Sequence, residues 1–73
     1  MTHLQKLAKS YELEVNDYSF FDYIIETLVN GNFSSIPELV RQLTKKEYGQ
    51  LIDYCHEYGG QYGQELIKYL HRL

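Results

Sequence analysis

Asp17–Asn32, DYSFFDYIIETLVNGN, is the most apolar window of this chain, and its periodicity sets the expectation for everything around it. Phe21, Ile24, Ile25 and Leu28 recur at i, i+3, i+4 and i+7, and Phe20, Tyr23 and Val29 widen the stripe. Apolar residues at that spacing share one side of a helix, so the stretch predicts an amphipathic helix over about 19–30 with a broad buried face. Asn16, Asp17 and Ser19 are all competent to cap its start, and Asp22 sets a carboxylate in a first turn, where the helix dipole favours negative charge. Asn30-Gly31 ends it, because glycine enters the left-handed conformation of a helix C-terminus without a Cβ penalty. Asn32-Phe33 completes the turn, with Phe33 expected to fold back onto the core.

Outward from this helix the chain reads as more short helices. Thr2 and Gln5 form a capping-box pattern, and Leu4, Leu7, Ala8 and Tyr11 follow at helical spacing, which predicts a first helix over about 3–13. Leu13 and Val15 alternate with Glu12 and Glu14, but with no second strand to pair with they read as a helix end and linker. Ser35-Ile36-Pro37-Glu38 is the next start signal, with Ser35 as cap, Glu38 reciprocating and Pro37 in a first turn that needs no internal donor. Leu39, Val40 and Leu43 give that helix, about 36–43, its apolar edge. Thr44 and Glu47 form another capping box for a helix over about 45–58, with Tyr48, Leu51, Ile52, Cys55 and Tyr58 on one side.

Gly59-Gly60 should break the chain before a last helix over about 61–72, whose buried side carries Tyr62, Leu66, Tyr69, Leu70 and Leu73. One continuous helix from Lys45 to Leu73 would stack Tyr54, Tyr58 and Tyr62. It would also hold Gly59, Gly60 and Gly63 in its interior at about 1 kcal/mol each, a large fraction of a small domain's stability. The expectation is therefore an all-α fold, a single domain over 1–73 built as a compact bundle of four to five short helices.

Composition narrows the function classes. With 73 residues, 44% hydrophobic and 23% charged, the chain has a globular balance, but so small a domain buries only about 60% of its unfolded surface. The lone Cys55 makes no internal disulfide, so the core rests on apolar side chains or on self-association. A net charge of −3 is far from the basic balance of a nucleic-acid binder. No apolar run nears the ~18 residues of a membrane span, and MTHLQKLAKSYELEV lacks the apolar region and cleavage site of a signal peptide. With a free cysteine, these features give a cytoplasmic expectation. The eight tyrosines are the oddity: each combines an apolar body with a polar tip, suited to a core boundary or to a binding surface.

No constellation specifies a chemistry. Cys55, His56 and Glu57 are consecutive, so on a helix they point about 100° apart and cannot chelate one ion or act as nucleophile and base. His3 and His71 lie at opposite ends of the chain, and the serines are explained as caps. Gly59-Gly60-Gln61-Tyr62-Gly63 before a helix could cradle a phosphate, but the preceding strand and the lysine of such loops are missing. The expectation is no enzyme, no metal and no cofactor.

SIPELVRQL followed by TKKEYGQLIDYC looks like a helix-turn-helix, which makes residues 35–58 a candidate DNA-binding unit with Arg41, Lys45 and Lys46 as its contacts. Val40 and Thr44 stand where that motif has a small residue and glycine, and Glu47, Asp53 and Glu57 on the second helix's exposed face would repel phosphates. A protein partner, or a second copy in a homodimer, is therefore the first expectation and DNA the alternative. The candidate partner surface is Tyr54, Tyr58, Tyr62 and Tyr69.

Tyr23-Ile24-Ile25-Glu26 through Asn30-Gly31-Asn32-Phe33-Ser34, followed by LTKKEYGQLIDY, resembles small helical proteins of bacteriophages and other bacterial mobile elements. The resemblance covers about residues 20–55 and its motifs are structural punctuation. It implies a bacterial or phage setting and carries over no activity and no functional residue.

Overall fold

The computed structural model describes residues 1–73 and is all-helical: α1 (His3–Ser10), α2 (Ser19–Val29), a 3₁₀ turn (Phe33–Ser35), α3 (Ile36–Arg41), α4 (Lys45–Tyr58) and α5 (Gly60–His71). α2 is central, as its apolar stripe predicts, and it packs on α1, α3 and α5. Its Phe20, Phe21, Ile24 and Leu28 join one cluster with Leu4 and Leu7 of α1, Ile36 and Leu39 of α3, Leu51 and Cys55 of α4, and Leu66, Ile67 and Leu70 of α5. Packing of α4 differs: its close backbone partner is α5, and the side-chain pairs His3–Glu47 and Asp22–Tyr54 link it to the N-terminal ends of α1 and α2. The cleft described below lies between them.

Local rules account for the element ends. Both threonine capping boxes form: Gln5 N–H donates to Thr2 Oγ1 at 3.1 Å, and Glu47 N–H donates to Thr44 Oγ1 at 3.1 Å. At α2 the N-cap residue is Tyr18, which makes no side-chain cap bond; Asn16 Oδ1, two residues earlier, accepts from the N–H groups of Tyr18 (2.9 Å) and Ser19 (2.8 Å). Asp17, no longer needed there, accepts instead from Thr2 Oγ1 at 2.8 Å and Gln5 Nε2 at 3.2 Å, tying the start of α2 to that of α1. Gly31, at φ 75°, closes α2 with the N–H of Asn32 on the carbonyl of Thr27 and its own on that of Leu28.

Several boundaries and contacts differ from those the sequence predicts. α1 stops at Ser10 instead of about residue 13, because Glu12 takes the left-handed conformation (φ 60°) and Leu13 N–H returns to the carbonyl of Ala8 at 2.9 Å. α3 stops at Arg41 instead of about 43, since the N–H groups of Gln42 and Leu43 bond three residues back and Thr44 must be extended to cap α4. The capping box at Ser35 does not form: the 3₁₀ turn runs directly into α3, so Ser35 is already helical (φ −84°, ψ −18°). Phe33 does not return to the core; 48% exposed, it lies over Tyr69 at the surface, with ring centroids 5.7 Å apart. Tyr58, Tyr62 and Leu73, expected on buried faces, are exposed.

The break between α4 and α5 falls where two glycines stand together, and Gly60 at φ 56° supplies the turn. Gly63 then lies directly against the backbone of Cys55, where an added Cβ would sit within 3.1 Å of the Cys55 Cα and even closer to its carbonyl oxygen. The third glycine of the group thus sets how closely α5 approaches α4.

Candidate functional site

The cleft between α4 and the starts of α1 and α2 has a volume of about 560 Å³ and is open to solvent. Leu4 and Phe21 form its apolar floor. One end is tied by His3, whose Nδ1 lies 2.7 and 3.0 Å from the two carboxylate oxygens of Glu47. Glu47 is buried, which corrects its expected place on the exposed face of that helix. Burial pushes its carboxyl up, but the Thr44 N–H, the His3 ring and the Thr44 hydroxyl outweigh that and hold it below the ordinary 4.5.

The other end is aromatic. Tyr54 stacks on Tyr18 (centroids 5.4 Å apart, planes 14° apart) and lies tilted against Phe21 at 5.6 Å and Tyr58 at 5.2 Å. Its hydroxyl donates to Asp22 Oδ1 at 2.6 Å. Burial, then that hydrogen bond, pushes the Tyr54 phenol up to about 12. Tyr54 is therefore held at both ends, while Tyr58 is 71% and Tyr18 57% exposed. The rings of Tyr18, Tyr54 and Tyr58 by themselves line a smaller hollow of about 240 Å³ beside the cleft.

Of the four tyrosines singled out from sequence, the fold brings two together. Tyr54 and Tyr58, one turn apart on α4, meet Tyr18 from the start of α2. Tyr62 is 50% exposed and stacks on no other ring. Tyr69 belongs to a separate pair, covered by Phe33 and donating its hydroxyl to the Phe33 carbonyl at 3.1 Å. Tyr18 is not among the tyrosines that the sequence singles out, and periodicity gives no signal for its exposure: it falls three residues before Phe21 and seven before Ile25, in step with the α2 stripe, yet it is exposed.

The basic candidates are dispersed. Arg41 pairs with Glu38 of its own helix at 3.5 Å, both side chains well exposed. Lys45 is exposed at the start of α4, and Lys46 borders the cleft. α3 and α4 do not pack closely on one another as the two helices of a DNA-reading unit do; α3 packs on α2 and the 3₁₀ turn.

Lys46, Gln50, Asp53 and Glu57 follow at i, i+4, i+7 and i+11 along the cleft side of α4. With Asp17 and Glu47 the lining has four carboxylates against one ammonium. Asp53 and Glu57 accept no hydrogen bond and pair with no cation, although they are neighbours on the helix surface. Cys55 is fully buried in the core, where burial pushes its thiol up to about 11, and the exposed His56 turns its Nδ1 toward Gln64 at 3.3 Å. No three His, Cys, Asp or Glu side chains converge on a point that could hold a metal ion, and no helix is long and apolar enough to cross a membrane.

Fold and cleft together define a small all-α bundle with an aromatic, acid-rimmed surface groove. No family model, curated protein or solved structure matches the chain.

Proposed function

We propose that this chain is a small non-catalytic protein-interaction module of regulatory character, and that Tyr18, Tyr54 and Tyr58 form the centre of its contact surface. The observation that carries the reading is the cluster itself: three rings from two helices, one anchored by Asp22 and two largely open to solvent, beside a groove with an apolar floor. Tyrosine anchors held before binding lose little freedom on association, which is why such rings dominate interface energetics. The burial of Cys55 away from His56 supports a role without catalysis. The sequence resemblance suggests a setting in a bacteriophage or mobile element, with the protein at work in a bacterial cytoplasm. A second copy of the chain is the alternative partner. DNA contact through Arg41, Lys45 and Lys46 draws less support, because Arg41 is paired and Lys46 sits among carboxylates.

Capture from cells of a bacterial host, comparing the wild type with Tyr58→Ser, tests the reading, and sedimentation over a range of concentrations tests the second-copy form. Tyr58 is exposed, so its replacement should leave the melting curve unchanged while a specific bound partner, or the dimer, is lost. Retention of every partner and of the oligomeric state by the folded variant would refute the proposed surface.

A further inference from the structure

Resting on that reading, we infer that the groove beside α4 takes a cationic segment of its partner: an arginine- or lysine-bearing stretch of protein chain laid across Tyr18, Tyr54 and Tyr58, with its charges against Asp53 and Glu57. Three independent features point to this occupant. The first is charge: four carboxylates and one ammonium line the groove, and Asp53 and Glu57 have no partner within the chain. The second is placement. Asp53 and Glu57 are like charges at i and i+4, and Glu57 stands in the last turn of α4, where the helix dipole disfavours an anion. Both positions work against the isolated helix, and an incoming cation relieves both.

The third feature is the hollow bounded by Tyr18, Tyr54 and Tyr58. Tyrosine ring faces attract cations, and a planar guanidinium stacks on them while its N–H groups reach neighbouring carboxylates. Aliphatic residues of the same segment would rest on the floor made by Leu4 and Phe21. An anionic or nucleic-acid occupant meets the same carboxylates as repulsion.

Titration of the isotope-labelled protein with a short end-blocked peptide of alternating arginine and leucine tests the inference, followed by amide chemical shifts. Controls replace every arginine with glutamate or with glutamine. The arginine peptide should move the signals of Tyr18, Asp53, Tyr54, Glu57 and Tyr58. Its affinity should fall at least about tenfold in a D53N/E57Q double variant, as expected for loss of close charge pairs, and should also fall as salt is raised. Both side chains are exposed and unbonded, so the variant's unperturbed spectrum and melting curve establish that the fold is kept.

Equal binding of the arginine and glutamine peptides, undiminished in the double variant, overturns the cationic assignment and leaves the tyrosine surface standing. Binding of no peptide, with partner capture still sensitive to Tyr58→Ser, likewise overturns it. If capture is also insensitive to Tyr58→Ser, the proposed function falls as well.

Discussion

Glu12 is the one non-glycine residue with positive φ, held there by the return of Leu13 N–H to Ala8 at the end of α1. The left-handed conformation costs an L-residue roughly 1–2 kcal/mol, and glycine escapes that cost while giving back about 0.4–1 kcal/mol through a freer unfolded chain. Glu12→Gly should therefore stabilise the protein by about 0.5–1 kcal/mol. Thermal unfolding should show the midpoint raised by roughly 2–8 °C. Gly63 presents the opposite case. Alanine there would gain about 1 kcal/mol of helix propensity. Its Cβ would collide with the backbone of Cys55, which cannot turn aside as a flexible side chain would. Overpacking costs about 1–3 kcal/mol or more, so Gly63→Ala should be destabilising on balance, read as a lower urea midpoint. From sequence the glycines of residues 59–63 read as breakers; that fits Gly60, whereas the role of Gly63 depends on which turn of α4 lies opposite.

At the level of the element, helix starts were legible wherever the chain enters from an extended residue. Thr2 (ψ 165°) and Thr44 (ψ 166°) are extended, so their hydroxyls reach the N3 amide. Ser35 has equally suitable chemistry, but the 3₁₀ turn before it has already set its backbone helical, and its side chain makes no cap bond. The box at Thr44 does more than cap, since its Glu47 also meets His3 of α1. The Glu47 carboxyl lies lower in the folded protein than in the unfolded chain, so its contribution is complete above about pH 4.5 and disappears as pH falls through the lower folded value. Melting temperatures of wild type and Glu47→Gln should differ near neutral pH and converge as the pH falls below about 4.5. A gap that stayed constant through this range would contradict the assignment.

For the whole molecule, stability rests on one cluster with no internal disulfide to support it. Ile24 is fully buried at the centre of α2, whereas Leu28 keeps a small exposed edge. Ile24→Ala should cost about 2–5 kcal/mol, and Leu28→Ala should lie toward the lower end of that range. Total stability for a chain of this length is on the order of 4–11 kcal/mol, so Ile24→Ala removes a large fraction of it. Circular dichroism during urea titration measures both; equal midpoints for wild type and Ile24→Ala would contradict the central place of α2.

Apolar spacing, threonine caps and paired glycines are local rules, acting within a few residues. The all-α class, the central helix and nearly every helix start were therefore legible in the residues alone. The candidate site depends on tertiary structure because its parts are distant in the chain. Tyr18 joins Tyr54 only because the bundle sets the start of α2 across from α4, and Asp22 orients Tyr54 across 32 positions. The groove is the gap left where α4 packs on α5 instead of lying fully against α1 and α2, and Asp53 and Glu57 become its wall for the same reason. Periodicity tells which side of a helix is buried; which neighbour it is buried against, and where two neighbours fail to close, is decided by the packing of the whole bundle.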